Sequence, residues 1–225
     1  MNRLLARTAL TLATGLLLGA CGGGSDGNVD PTTYNVAAAY QNLLTTTHHW
    51  ALAGTDSLGF AWTMQLDGAP LPAGAFPMTG EAAGRLALTV SASAAGTSDT
   101  GTMTYYFNGT SAARELIGIE MPDGTCARAS TFTVPPAVAS IGSSGPLAAM
   151  TAYASCTAGA PAAGGIDYRW SIVRDGSVVL FCMSSEDGSG SSEVDCLEVA
   201  TDGALGARAR VTLTMPGYQL IAKNY

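Results

Sequence analysis

Six carboxylates crowd one stretch of the chain. Glu186, Asp187, Glu193, Asp195, Glu198 and Asp202 fall within SSEDGSGSSEVDCLEVATD, with no Lys or Arg among them. Oxygen-bearing side chains separated by flexible glycines can wrap a calcium ion, and Asp187, Glu193 and Asp195 are the set from which such a site would be drawn. Their spacing does not match an EF-hand loop. The expectation is therefore no bound metal, and a solvated hairpin tip whose acids point into water. A pair of carboxylates is also what glycoside hydrolysis requires, provided two of them face one cleft.

Other chemistry-bearing residues are few. His48 and His49 are the only histidines, and neighbours on a strand point to opposite faces, so they do not share a metal. No local motif nominates a serine nucleophile to go with them. Gly22 to Gly27, GGGSDG, satisfies both a G-x-G-x-x-G and a G-x-S-x-G pattern, but neither the preceding strand nor the following helix that those motifs need is in place. The methionines fall within strand patterns and read as core filling rather than a copper-binding cluster. Tyr105, Tyr106 and Phe107 are consecutive, so at least one ring points away from whichever face is buried. Such a ring can stack on sugar, or simply pack beneath a neighbouring loop.

The elements that would position these residues are mostly strands. Val36, Tyr40, Leu43 and Leu44 are spaced for one apolar face of a short helix. Beyond it, Phe60, Trp62, Met64 and Leu66 alternate with polar or small residues, as do Leu86, Leu88 and Val90, and later Val211, Leu213 and Met215. That period of two marks a sheet buried on one face. Asp67-Gly68, Asn108-Gly109, Asp123-Gly124, Asp175-Gly176 and Asp202-Gly203 supply turn signals. About a dozen short strands of this kind predict an all-β chain, built as a β-sandwich or as two packed β lobes, preceded by the one short helix. The Pro-, Gly- and Ser-rich TVPPAVASIGSSGP divides the mature chain into residues 34–135 and 136–225, which also read as one domain if the halves pack together. Cys156, Trp170 and Cys182 in the second part admit an Ig-like lobe, although the cysteines are too close in sequence for that fold's own disulfide.

The N-terminus carries the clearest message. Arg3 and Arg7 precede an apolar segment, Thr8 to Leu18, that is well short of the ~20 residues a spanning helix needs, and small residues follow. Residues 1–20 therefore read as a signal peptide, and residues 21–33 as a Gly-rich spacer. Leu18-Gly19-Ala20-Cys21 resembles the lipobox of bacterial lipoproteins. The resemblance implies a diacylglyceryl group on the Cys21 thiol, cleavage before that residue and acylation of the new amino group. Two or three acyl chains hold a protein stably where one does not. With Gly22 rather than Asp after the cysteine, it also implies sorting to the outer membrane. The mature chain is similar to uncharacterised proteobacterial lipoproteins in its Pro-Pro-to-Gly-Pro stretch and aromatic strands, which implies no activity.

An exported chain with four further cysteines, Cys126, Cys156, Cys182 and Cys196, predicts two disulfides with three pairings open. Cys182–Cys196 with Cys126–Cys156 closes the shorter loops. A four-thiolate zinc site is the rival, and no C-x-x-C pair supports it. Without the signal, 8 Lys and Arg face 17 Asp and Glu, a net charge of −9. Such a surface repels phosphate backbones and anionic headgroups, so nucleic acid is not an expected partner, and the membrane is met through the Cys21 anchor alone. The expected function is a lipid-anchored, non-catalytic binding or structural module of the cell envelope, without a cofactor, meeting a protein or carbohydrate partner. The alternative is an envelope hydrolase, carbohydrate-active, using acids of the carboxylate-rich segment.

Overall fold

The computed structural model describes residues 32–225. The signal peptide, Cys21 and the spacer up to residue 31 lie outside the described residues. In chain order the elements are β1 (Thr33–Tyr34), α1 (Val36–Thr45), β2 (His48–Asp56), β3 (Ala61–Ala75), β4 (Ala82–Ala94), β5 (Thr97–Phe107), β6 (Leu116–Glu120) and β7 (Cys126–Phe132). Then come β8 (Ala139–Ser140), β9 (Ser144–Tyr153), β10 (Ala162–Asp175), β11 (Val178–Asp187), β12 (Ser192–Val199), β13 (Leu205–Met215) and β14 (Tyr218–Lys223). Strand makes up 63% of the described residues and helix 5%.

The architecture corrects the sandwich and the Ig-like lobe. Twelve strands, β2 to β7 and β9 to β14, form one closed antiparallel barrel in which each strand pairs with its neighbours in sequence. Two seams close it. Strand β14 pairs with β2 through Leu220↔Asp56 to Lys223↔Ala53, and β7 pairs with β9 on either side of the Pro-rich segment. A sheet without edges cannot be one half of a sandwich. Cys182 and Trp170 also lie on opposite faces of the wall, because Trp170 is paired with Met183 and points in while Cys182 points out. That breaks the Ig-like core pattern.

Most strands alternate inward apolar with outward polar or small residues, although Tyr106, Val178 and Leu180 lie on the outer face and Glu193 and Asp195 on the inner one. Outside, hydroxyls pair across strands, with Thr63–Ser93 at 2.7 Å, Thr89–Thr102 at 2.9 Å and Thr100–Ser91 at 3.0 Å. A barrel that spans a bilayer carries an outward apolar band, which this hydroxyl-lined stretch of the wall does not present.

Twelve strands enclose more space than side chains alone fill, since about eight already make a barrel just wide enough to pack. At one end α1 supplies the missing volume. Asn35 caps it, accepting from Ala38 N at 2.9 Å, and Val36, Ala39, Tyr40, Leu43 and Leu44 are buried. Loops at that end hold the helix down. Asn35 N donates to Thr201 O at 3.0 Å, Ala37 N to Pro136 O at 3.1 Å, Asn42 Nδ2 to Gly203 O at 2.9 Å and Tyr40 Oη to Arg114 O at 3.1 Å. Above the helix, Trp50, Leu66, Leu86, Phe107, Trp170 and Phe181 fill the interior. Strand β1 pairs with β8 at this same closed end, so the chain enters the fold there.

Candidate functional site

Strand β12 carries the two residues that a barrel interior least tolerates. Glu193, Asp195, Leu197 and Val199 share one face of the strand, and Val194, Cys196 and Glu198 share the other. The face is set by a disulfide. Cys196 lies directly opposite Cys182 and is bonded to it, within an outward cluster of Val178, Leu180 and the C-terminal Tyr225. With Cys196 outward, Leu197 and Val199 must point in, and Glu193 and Asp195 go with them. A slip of one residue would reverse all four.

The surroundings of the pair follow from the register. Glu193 faces Ser185 on β11 and Leu213 on β13, while Asp195 faces Met183 and Val211. Tyr168 on β10 lies opposite Ser185 and is hydrogen-bonded to it. From the far wall, the β5 phenol of Tyr105 lies within electrostatic reach of both acids, of Tyr168 and of Tyr40 on α1. Burial pushes the Asp195 carboxyl well above its usual range, and the neighbouring Glu193 charge pushes it further. Burial alone raises Glu193. The Tyr105 and Tyr168 phenols are raised too, first by burial; the Tyr168 phenol acts next on Tyr105, and the two carboxylates add to both. Asp195 Oδ1 is buried with no hydrogen-bond partner.

Exposure along the inward faces is graded. Towards α1 most inward side chains are buried, Phe132 and Leu205 being partly exposed, whereas Met103, Met121, Ile166, Tyr168, Met183 and Leu213, with the two acids, keep partial exposure in the other half around a buried Tyr105. No helix covers that far end among the described residues. At its rim, Asp56 is buried and accepts from Leu58 N at 3.0 Å, Phe60 N at 2.9 Å, Trp62 Nε1 at 2.9 Å and Tyr218 Oη at 3.3 Å. Burial raises the Asp56 carboxyl, but these four donors outweigh it and hold it below its ordinary value. Leu58 and Phe60 beside it are exposed.

The sequence-based site residues divide accordingly. The solvated hairpin tip is corrected for Glu193 and Asp195, which face inward. Asp187 does not join them. Its Oδ1 accepts Ser189 N at 2.9 Å and Ser191 N at 3.2 Å and is spent on its own turn. Glu198 pairs with Arg208 at 3.4 Å on the outside, and Asp202 caps its loop through Ala204 N at 2.9 Å. No group of three metal-binding side chains is assembled among the described residues. Cys126 is bonded to Cys156 and Cys182 to Cys196. His48 stacks on Trp50 at 4.9 Å, while His49 bonds Asp67 at 2.6 Å on the outer wall. Tyr105 and Phe107 point in; Tyr106 points out, and packs beneath Phe76 at 5.1 Å, so no ring of the three offers a free face.

Two shallow grooves score the outer wall. One of about 540 Å³ runs over Ala51, Ala53, Thr63, Gln65, Ser91 and Ser93, and a second of about 390 Å³ adjoins it near Trp62 and Gly96. Their lining brings no carboxylate or histidine; Lys223 is the one charged side chain, at the first groove, beside hydroxyl and amide groups. No family model, curated protein or solved structure matches the chain.

What sequence reading missed is the inward acid pair. The signal was present in the parity of Glu193 and Asp195 with Leu197 and Val199, but the run of carboxylates and Ser residues masked it.

Proposed function

We propose that the protein is a lipid-tethered, non-catalytic binding module of the cell envelope, and that its ligand site is the half of the barrel away from α1. The observation that carries this is the cluster of partly exposed inward side chains beyond the helix, set against a mostly buried lining beside it. Small-molecule sites are concave and mostly apolar, with a few placed polar groups, and Met103, Met183, Leu213 and Tyr168 with two carboxyls fit that description. The entry of the chain at the closed end supports the tethered reading, because an anchor at Cys21 would leave the opposite mouth unobstructed.

The test uses a neutral apolar fluorophore, N-phenyl-1-naphthylamine. Binding should brighten it, and Leu213→Trp, which fills the far half, should abolish the signal while Gln65→Trp in the outer groove leaves it unchanged. The reverse pattern would refute the site. For the tether, Cys21→Ser should release the protein from membranes, and mass spectrometry should find acyl chains on wild-type Cys21 only.

A second reading, the carbohydrate-active hydrolase, draws support from the raised Asp195 and Glu193 carboxyls, since a general acid must hold its proton near neutral pH. Against it, the two lie side by side on one strand rather than on two sides of a cleft. Turnover of aryl glycosides that disappears in Glu193→Gln would select it.

A further inference from the structure

Resting on the binding reading above, we infer that the barrel interior selects an organic cation, an amine with an apolar body, whose ammonium group sits on Glu193 and Asp195. The interior supplies no counter-charge of its own. All eight Lys and Arg of the described chain lie on the outer wall, in loops or at the closed end, and neither histidine reaches the pair. The titratable groups within electrostatic reach of it are Tyr105 from β5 and Tyr168 from β10, both of them acids; β11 and β13 present Ser185, Met183, Val211 and Leu213. Asp195 Oδ1 is left without a donor inside the protein, a state that is costly unless something else donates to it.

The chemistry of the walls narrows the donor. An anion is repelled by two carboxyls. A hard divalent ion such as Ca²⁺ needs six to eight oxygens, and two carboxylates and one hydroxyl among thioether and aliphatic side chains do not supply them. An ammonium needs only a few acceptors, is attracted to an aromatic face such as that of the partly exposed Tyr168, and brings a hydrocarbon part that Met103, Met183 and Leu213 accommodate. Because burial favours the protonated pair, seating a cation displaces a proton from it to solvent. Affinity therefore rises with pH until the amine itself loses its charge.

The test is calorimetry on the full chain carrying Cys21→Ser, with octylammonium, octanol and octanoate as probes. At pH 8, octylammonium should bind at least tenfold more tightly than octanol, equivalent to about 1.4 kcal/mol, with octanoate weakest. Heats in buffers of different ionisation enthalpy should report proton release on binding octylammonium only, and the preference should shrink at pH 5. In Glu193→Gln with Asp195→Asn, octylammonium and octanol should bind within twofold of each other, while octanol is unaffected. Equal binding of octanol and octylammonium to wild type, a preference surviving in the double variant, or calcium chloride raising the melting temperature of wild type alone would overturn the inference and leave the barrel site standing. Failure of all three probes to bind would overturn both.

Discussion

Gly203 is where the β12–β13 loop meets α1, the helix that stops one end of the barrel. Its φ is +89°, and a Cβ placed there would lie 2.6 Å from Ala38 Cβ, 2.7 Å from Asn35 O and 2.8 Å from Ala39 N. Gly203→Ala therefore carries two costs. A left-handed backbone costs an L-residue roughly 1–2 kcal/mol, and forcing a methyl against helix backbone that cannot rotate away adds roughly 1–3 kcal/mol. The expected loss is about 3 kcal/mol, or about 6–12 °C in melting temperature for a chain of this size. Gly217→Ala is the control, because its φ is +78° and nothing lies within 4 Å, leaving strain alone. Urea unfolding followed by far-UV circular dichroism should place Gly203→Ala about 2 kcal/mol below Gly217→Ala, with equal slopes. Equal midpoints for the two variants would show that α1 is not packed against this loop, and would refute the account of how the barrel is closed.

Other consequences are equally measurable. Asp195 holds its proton in the folded state above the pH at which the unfolded chain releases it, so its contribution is present below about pH 4 and lost as pH rises through the raised folded value. Stability of Asp195→Asn measured by urea unfolding should accordingly decline less than wild type between pH 4 and pH 8. Asp56 behaves in the opposite sense, with a lowered carboxyl whose contribution is present above about pH 4 and lost as pH falls. Asp56→Asn should melt below wild type at pH 7, with the gap closing at pH 3, and should shift the fluorescence of Trp62. Removing the disulfide of 14-residue separation, by Cys182→Ala with Cys196→Ala, should cost about 3 kcal/mol in the chain-entropy model. Cys126→Ala with Cys156→Ala, at a separation of 30, should cost about 3.6 kcal/mol, both read from unfolding midpoints.

Local features were legible because local physics decides them. The 3.6 spacing of Val36, Tyr40, Leu43 and Leu44 and the period of two in Met64-Gln65-Leu66 or Val211-Thr212-Leu213 reflect which face is apolar, and a chain displays that directly. The disulfide pairing could be argued from loop length, since shorter loops close at lower entropic cost. Four of the five turn signals marked where strands reverse, whereas Asp67-Gly68 lies inside β3, paired on both sides.

Whether the sheet would end or close was not legible. Alternation reports that one face is buried, and a sandwich and a barrel satisfy it equally. The choice rests on β14 finding β2 from more than 160 residues away, as Leu220↔Asp56 does, and no local pattern encodes that pairing. The acids of β12 turned on the same kind of contact. Their composition with the neighbouring serines suits a solvated loop, and only the outward Cys182–Cys196 bond, together with packing of Leu197 and Val199, forces them into the interior. Residue types and spacings along the chain determined an all-β design with a short helix and paired thiols. The tertiary structure decided that the strands close on themselves, that the helix stops one end, and that two carboxyls face each other's charge inside, because each of these depends on contacts between segments far apart in sequence.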